Sequence, residues 1–379
     1  MKLAIPKERH EGETRVAASP ETVKKFVGLG AEVVVEQGAG LHSRFTDEAF
    51  KEAGATVEGD LAKVIEGADV VLKVGRPEKE ELEHFKKGAV LVGMLAPHGD
   101  KDNAKDYAGR GIDAFAMEFM PRISRAQSMD VLSSQSNLAG YKAVVDAAAA
   151  LNRAMPMMMT AAGTIPPARV FVLGAGVAGL QAIATARRMG AVVSATDVRP
   201  AVKEQVESLG AKFVMVESEE TKQAETEAGY AREMSEEFKR KQAELIADTV
   251  AKQDIVVTTA LIPGKPAPVL VSEEMVERMK PGAIIVDLAV EQGGNCPLSR
   301  PDEVVDHNGV SIMGHLNLAG HLPVDASALY ARNLFNFLSP FVNKESGNLE
   351  LDWEDAVVEG TALTRNGEVV HASLTGEKN

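Results

Sequence analysis

The chain has 379 residues, enough for two domains at roughly 100–200 residues each, and its 45% apolar and 25% charged residues are ordinary for a globular protein. A formal net charge of −14 argues against nucleic acid as a partner, because an acidic surface repels phosphates, yet it leaves room for a small anionic cofactor held by backbone amides. The single cysteine, Cys296, excludes an internal disulfide framework and a cysteine-based metal cage, and no metal is expected.

The first residues, MKLAIPKERHEGETRVAASP, contain no apolar core of signal-peptide length. No run approaches the ~18–20 apolar residues of a membrane-spanning helix, so the chain reads as soluble, with docking onto a membrane partner left open. KLAIP, EVVVE, DVVLKV, AVLVGML and IDAFAMEF read as strands, separated by the helical stretches PETVKKFVGLG, DEAFKEAG, DLAKVIEGA and KEELEHFKKG. This alternation predicts an α/β layer with a mainly parallel sheet.

RISRAQSMDVLSSQSN, Arg122 to Asn137, follows and has neither helical nor strand periodicity. It is dense in hydrogen-bonding groups but has no histidine or cysteine. A helix is predicted from about Gly140 to Arg153. The methionines of AMPMMMTAAGTIPP (Met155, Met157, Met158, Met159) are expected to pack adaptably beside the glycine-rich loop that comes next.

From Arg169 the alternation restarts with RVFVLG, VVSATD, KFVMVE, DIVVTTA, AIIVDLA and VSIMG. A charged insert separates KFVMVE from DIVVTTA. Its second half, from about Glu233, spaces Met234, Phe238, Leu245, Ile246 and Val250 as a helix, whereas the first half is a surface loop or a solvated helix. After Gly320, ALYARNLFNFLSPF reads as a helix returning to the first domain, and Asn366-Gly367 marks a two-residue hairpin that decorates an edge or meets a second copy. The expected domains are therefore 1–133 completed by 320–379, and 134–319.

RVFVLGAGVAGLQAIATARRMGAVVSATD is the most informative segment. A strand runs into Gly174-Ala175-Gly176-Val177-Ala178-Gly179, an amphipathic helix follows, and a second strand ends at Asp197. Glycines in this context permit a tight turn, close approach of backbone to a pyrophosphate, and close helix–strand packing. The helix N-terminus adds free amides and a positive dipole end. Asp197 is placed to accept from ribose hydroxyls and would repel a 2′-phosphate, which favours NAD(H), although Arg199 nearby is a residue that can accept such a phosphate. ALIPGKPAP and VDLAVEQGGNCP each follow a strand of this domain, at the end where open α/β sheets bind ligands.

PRISRAQSMDVLSSQSNLAGYKAV, MMMTAAGTIPPARVFVLGAGVAGLQAIATARRMGA and TTALIPGKPAPVL resemble the NAD(H)-binding component of proton-translocating nicotinamide nucleotide transhydrogenases, over essentially the whole chain. The resemblance implies two Rossmann-like domains with NAD(H) in the cleft between them and a homodimer. It also implies an NADP(H)-binding component, a transmembrane proton-channel component, and a cytoplasmic position at the inner face of the membrane. Carried over by position, Arg122, Gln127, Asp130 and Ser133 would be the working residues of a polar loop over the nicotinamide, with Ile123, Ser124, Ser128 and Met129 also contacting cofactor. Gly174, Ala175, Gly176, Val177, Gly179, Asp197, Val198, Arg199, Thr259, Ala260 and Leu261 would line the NAD(H) site. Gly229 and Gln242 would lie beside the insert, with Tyr230 on a loop that closes over nucleotide.

The alanine dehydrogenases are related, sharing IPKE, Arg15, VLKV with Lys73, and VDLAVEQGG. Their catalytic histidine would fall at Ala96 and their aspartate at Glu291, and both departures count against amino-acid oxidation. His98 reads as a surface-turn residue beside Pro97. Oxidising an amine needs an acid/base group, whereas hydride exchange between two nicotinamides moves no proton and needs only alignment and exclusion of water. The Arg122–Asn137 stretch supplies orienting groups of that kind, with Gln127 and Ser133 holding a carboxamide or ribose and Arg122 pairing with Asp130.

Overall fold

A computed structural model describes residues 1–99, 102–216, 235–262 and 264–376, apart from the side chains of Phe238 and Lys239. The chain forms two compact units, Met1–Gln135 with Ala319–Asn379, and Ser136–Leu318.

In the first unit, β1 (Lys2–Ile5), β2 (Glu32–Glu36), β3 (Thr56–Glu58), β4 (Val70–Leu72), β5 (Val90–Gly93) and β6 (Asp113–Ala116) form one sheet in the order β3-β2-β1-β4-β5-β6. Every pairing is parallel. Such strands are buried on both faces, which is why they read as continuous apolar runs rather than alternating ones. Leu3 and Ile5 point to one core with Val33, Val35 and Phe115, while Ala4 points to the other with Val34, Val71 and Leu91. The helix Pro323–Leu338 returns to this unit and buries Tyr330, Leu334, Phe337 and Leu338 in the first of these cores. Full burial of a side chain such as Phe337 contributes about 2–3 kcal/mol. The strand β3, three residues long and partly exposed, carries too little apolar signal to be read from sequence.

The second unit begins within the helix Val131–Ala150, which leads to the hairpin β7 (Met158–Thr160) and β8 (Gly163–Ile165). Every residue of both strands is exposed, and so is Met157, so only Met155 packs in the core; the expectation of adaptable packing fails for the other three methionines. Then β9 (Arg169–Leu173), β10 (Val192–Thr196), β11 (Lys212–Phe213), β12 (Ile255–Thr258), β13 (Ile284–Asp287), β14 (Val304–His307) and β15 (Val310–Met313) form a sheet in the order β11-β10-β9-β12-β13-β15-β14. Only β14 is antiparallel; its alternating, half-exposed residues suit an edge and are absent from the sequence reading. The core divides as before, with Val170 and Val172 on one face and Phe171 and Leu173 on the other. The helix Glu236–Val250 carries Leu245, Ile246 and Val250 of the charged insert, whose first half, with Glu233 and Met234, lies outside the described residues.

Asn366 and Gly367 turn the chain between β16 (Thr364–Arg365) and β17 (Glu368–Val369), as the dipeptide predicts. Ahead of this hairpin, Ala362 bridges Phe115 of β6, so the C-terminal segment covers the edge of the first sheet. Among the described residues no helix is long and apolar enough to cross a membrane.

Candidate functional site

In the second unit β10, β9, β12 and β13 are parallel neighbours, so the segments after them emerge side by side at one end of the sheet. The chain reverses its direction of winding between β9 and β12, and at such a switch point open α/β sheets bind their ligands. The glycine-rich turn follows β9, Asp197–Arg199 follow β10, Thr259–Leu261 follow β12, and Leu288–Cys296 follow β13.

The three glycines of the turn have different reasons to be there. Gly174 has φ +106°, and a Cβ on it would lie 2.4 Å from Thr259 Oγ1. A Cβ on Gly179 would lie 1.8 Å from the Gly174 carbonyl oxygen, so the helix Val177–Arg188 packs directly on the turn. Gly176 is different: its φ of −78° suits any residue, and a Cβ there would meet nothing within 4 Å. The packing of the described residues does not require this glycine, which borders open space among them. Among the described residues no side chain caps the helix that begins here, and its first amides are donors without a side-chain acceptor. These are the properties of a cradle for a phosphate group.

Asp197 closes one side of the cradle. Its Oδ2 accepts from the Ala175 amide at 2.7 Å, and its Oδ1 accepts from the Arg199 amide and Nε at 2.9 Å each. Burial alone would raise this carboxyl, but the Arg199 guanidinium and the two amides outweigh it and hold it below its ordinary value. Asp197 is thus ionised at neutral pH, and Arg199, which the sequence left as a possible phosphate ligand, is engaged by it. Thr259 Oγ1 donates to the Gly174 carbonyl at 3.1 Å and ties the loop after β12 to the turn. Val177, Val198 and Leu261 are exposed at this end. Gln242 accepts from the Val216 amide at 2.8 Å and donates to Thr196, the neighbour of Asp197, at 3.4 Å. Gly229 and Tyr230 lie outside the described residues, as does Pro263.

The Arg122–Asn137 stretch, which belongs to the first unit up to Gln135, is not an irregular loop. Ser124–Met129 form a 3-10 turn, and the next helix, Val131–Ala150, begins nine residues before the predicted Gly140. The reason is Asp130, whose Oδ1 accepts from the Ser133 amide at 2.9 Å and whose Oδ2 accepts from Ser133 Oγ at 2.5 Å, a helix cap. Arg122 and Asp130 form no ion pair among the described residues, which corrects the expected pairing. The segment is gripped through the Ser128 carbonyl, which accepts from Asn333 at 2.8 Å and Asn336 at 3.1 Å, and through the Arg125–Asp355 ion pair. Met129 is buried in the core and Ile123 and Ser124 are exposed. The side chains of Arg122, Gln127 and Ser128 are exposed and form no hydrogen bond or ion pair among the described residues. The polar residues therefore divide into those that hold the segment and those that it presents.

Most positions matching the alanine dehydrogenase site also lie in the first unit. Arg15 is clasped by Glu13 at 2.7 and 2.8 Å and by Gln135 at 3.0 Å. Lys73, 1% exposed, is held by Glu81 at 2.8 Å and Glu8 at 3.4 Å, so both cations have internal carboxylate partners. Burial pushes the Glu8 carboxyl up, with Lys73 opposing. Ala96 offers only a backbone amide, which donates to Glu118 at 2.7 Å. His98 is exposed, with its ring edge-on to Phe119. Glu291, in the second unit, is exposed and accepts from the Asn317 amide at 3.0 Å.

The family of the alanine dehydrogenase/PNT N-terminal domain matches residues 4–139, and that of the alanine dehydrogenase/PNT C-terminal domain matches residues 143–372. The chain belongs to the alanine dehydrogenase/PNT family. It is 59% identical over 382 residues to the first part of the NAD(P) transhydrogenase alpha subunit of Rhodospirillum rubrum, covering 100% of each chain. A solved transhydrogenase structure from Sinorhizobium meliloti superimposes with a TM-score of 0.89 at 55% identity, covering 98% of this chain and 100% of that one. An alanine dehydrogenase of Methanococcus maripaludis is 30% identical, covering 100% of this chain and 95% of that one. The C-terminal family match runs to residue 372, although residues from Ala319 onward pack in the first unit.

Sequence reasoning missed Asp287 and Asn295, which organise the loop after β13, and Asn333 and Asn336 beneath Ser128. The glycine pair before Asn295 was a usable signal; the two asparagines on the returning helix gave none.

Proposed function

We propose that the chain is the NAD(H)-binding component of a proton-translocating NAD(P) transhydrogenase. In this reading it works as a homodimer, with an NADP(H)-binding component and a transmembrane proton-channel component that holds it at the inner, cytoplasmic face of the membrane. The observation that carries the reading is Gly176, a glycine the fold does not need, set at an uncapped helix end beside an ionised Asp197.

The Gly174–Gly179 turn and the amides of Val177 and Ala178 hold the pyrophosphate, and Asp197 accepts from ribose hydroxyls. Val177, Val198, Arg199 and Thr259–Leu261 flank the nucleotide. NAD(H), when bound, supplies the carbon that gives or takes the hydride. Arg122, Gln127 and Ser128 orient the nicotinamide, and the Asp130–Ser133 cap fixes the backbone that carries them. None of these groups has to pass a proton, which suits an exchange whose demands are distance, alignment and dryness.

The test is a reconstitution. The purified chain should bind NADH, should not oxidise alanine with NAD⁺, and should exchange hydride between NADH and an NADP⁺ analogue only when the NADP(H)-binding component is added. Oxidation of alanine by the chain alone, or no exchange with the component present, would overturn the proposal.

A further inference from the structure

The loop after β13 lies at the same end of the sheet as the glycine-rich turn, and at its centre is Asn295, which is fully buried. Its side-chain amide uses both of its donor hydrogens and one of the two acceptor positions of Oδ1. Oδ1 accepts from the Ala260 amide at 3.1 Å, and Nδ2 donates to the Ala260 carbonyl at 2.9 Å and to the Pro268 carbonyl at 2.7 Å. Its backbone carbonyl accepts from Leu270 at 2.8 Å and Val271 at 3.1 Å. One residue thus binds both ends of the Ala260–Pro268 loop, and it grips both polar groups of Ala260 as a neighbouring strand would. Only an asparagine of this length offers two donors and one acceptor in that arrangement.

Asn295 is itself fixed by the buried Asp287 at the end of β13. Asp287 Oδ2 accepts from the Cys296 amide at 3.0 Å and Ser299 Oγ at 2.7 Å, while Oδ1 accepts from the Ala289 amide at 2.9 Å and Thr258 Oγ1 at 3.1 Å. Gly294, at φ +82°, would place a Cβ 2.8 Å from Asp287 Oδ2, so the chain reaches Asn295 by a route closed to other residues. Thr259, next to Ala260, bonds to the Gly174 carbonyl. Asp287 therefore holds Cys296, the covalent neighbour of Asn295; Asn295 holds Ala260; and Thr259, adjacent to Ala260, bonds to the glycine-rich turn.

We propose that Asn295 is a positioning residue for NAD(H): it sets the Ala260 peptide, and with it the Thr259–Leu261 wall of the nucleotide site, from a position where it touches no nucleotide. This rests on the reading of the second unit as the NAD(H)-binding unit. The experiment titrates NADH, followed by its own fluorescence, into the full-length wild type, Asn295→Asp and Asn295→Ser, with melting temperatures measured in parallel. The aspartate keeps the shape and loses the donors; the serine is neutral and separates lost hydrogen bonds from added charge.

Asn295→Asp should raise the Kd for NADH about tenfold, the worth of one or two hydrogen bonds, and Asn295→Ser should give a smaller loss of the same sign. With the NADP(H)-binding component present, kcat at saturating NADH should stay within about twofold of wild type, because a wall that only places the nucleotide affects the bound and reacting states alike. Variants that bind NADH as tightly as wild type and only melt earlier would overturn the proposal and leave Asn295 a packing residue. A wild type that binds no NADH would instead overturn the reading of the site on which this rests.

Discussion

The two sheets are wound alike and differ at one place. Counted along the chain within each sheet, the first runs 3-2-1-4-5-6 and the second 3-2-1-4-5-7-6, the same order once the antiparallel edge strand β14 is set aside. After β9 the chain turns within Gly174–Gly176 into a helix that no side chain caps. After β1 it takes the longer path from Pro6 to Ser19 before its helix Pro20–Gly28. That helix is closed by a capping box, in which Ser19 Oγ accepts from the Thr22 amide at 3.2 Å, and Pro20 at its first position has no amide to offer. Four charged groups of the longer path, Glu8, Arg9, Glu13 and Arg15, are committed to partners within the unit. One fold thus appears twice, once with its first helix end open and once with it sealed. The winding is set by burying apolar strands; whether the helix end binds an anion is set by a few residues that the winding leaves free.

The largest effect should come from filling the open end. Gly176→Val places its Cβ where the described residues leave open space, so the melting temperature should hold while NADH affinity falls by about a hundredfold, roughly 2.7 kcal/mol. Equal losses of stability and binding would mean that Gly176 is packed like Gly179 and that the distinction between the glycines is wrong. Next comes the segment that presents side chains without a glycine-rich turn. Gln127→Asn shortens an exposed amide by one methylene and should slow hydride exchange with the NADP(H)-binding component about tenfold, with NADH affinity within about twofold of wild type. A parallel loss in both would reduce Gln127 to uniform binding. The smallest effect belongs to the sealed end. Ser19→Ala should cost about 1 kcal/mol in a denaturant titration and leave NADH binding untouched, and any loss of binding would contradict the assignment of the two ends.

The Arg122–Asn137 stretch shows where legibility stopped. Its polarity was plain, but its start as a helix was hidden because Ser133, Ser134, Ser136 and Asn137 are weak helix formers. The start is held because Asp130 caps the helix, Ser134 bonds to Asn333 at 2.7 Å, and Gln135 bonds to Arg15 and to the Ala326 carbonyl at 3.1 Å. Local propensity lost to partners far along the chain. The same holds for Met157–Met159, whose apolar character suggested a core and whose hairpin exposes them.

The two α/β units, the strand–turn–helix with its glycines, Asp197 at the strand end and the Asn366-Gly367 hairpin all follow from the order of the amino acids. Each depends on periodicity or on backbone conformation within about 30 residues, and that information is local. Packing was needed to establish that Gly176 is the spare glycine, that Asp130 caps a helix instead of pairing with Arg122, that Asn295 holds Ala260, and that Asn333 and Asn336 hold Ser128. Each of these turns on which polar group a buried or half-buried partner leaves unmatched. That is settled only when distant segments are packed and every donor has found its acceptor or faces open space.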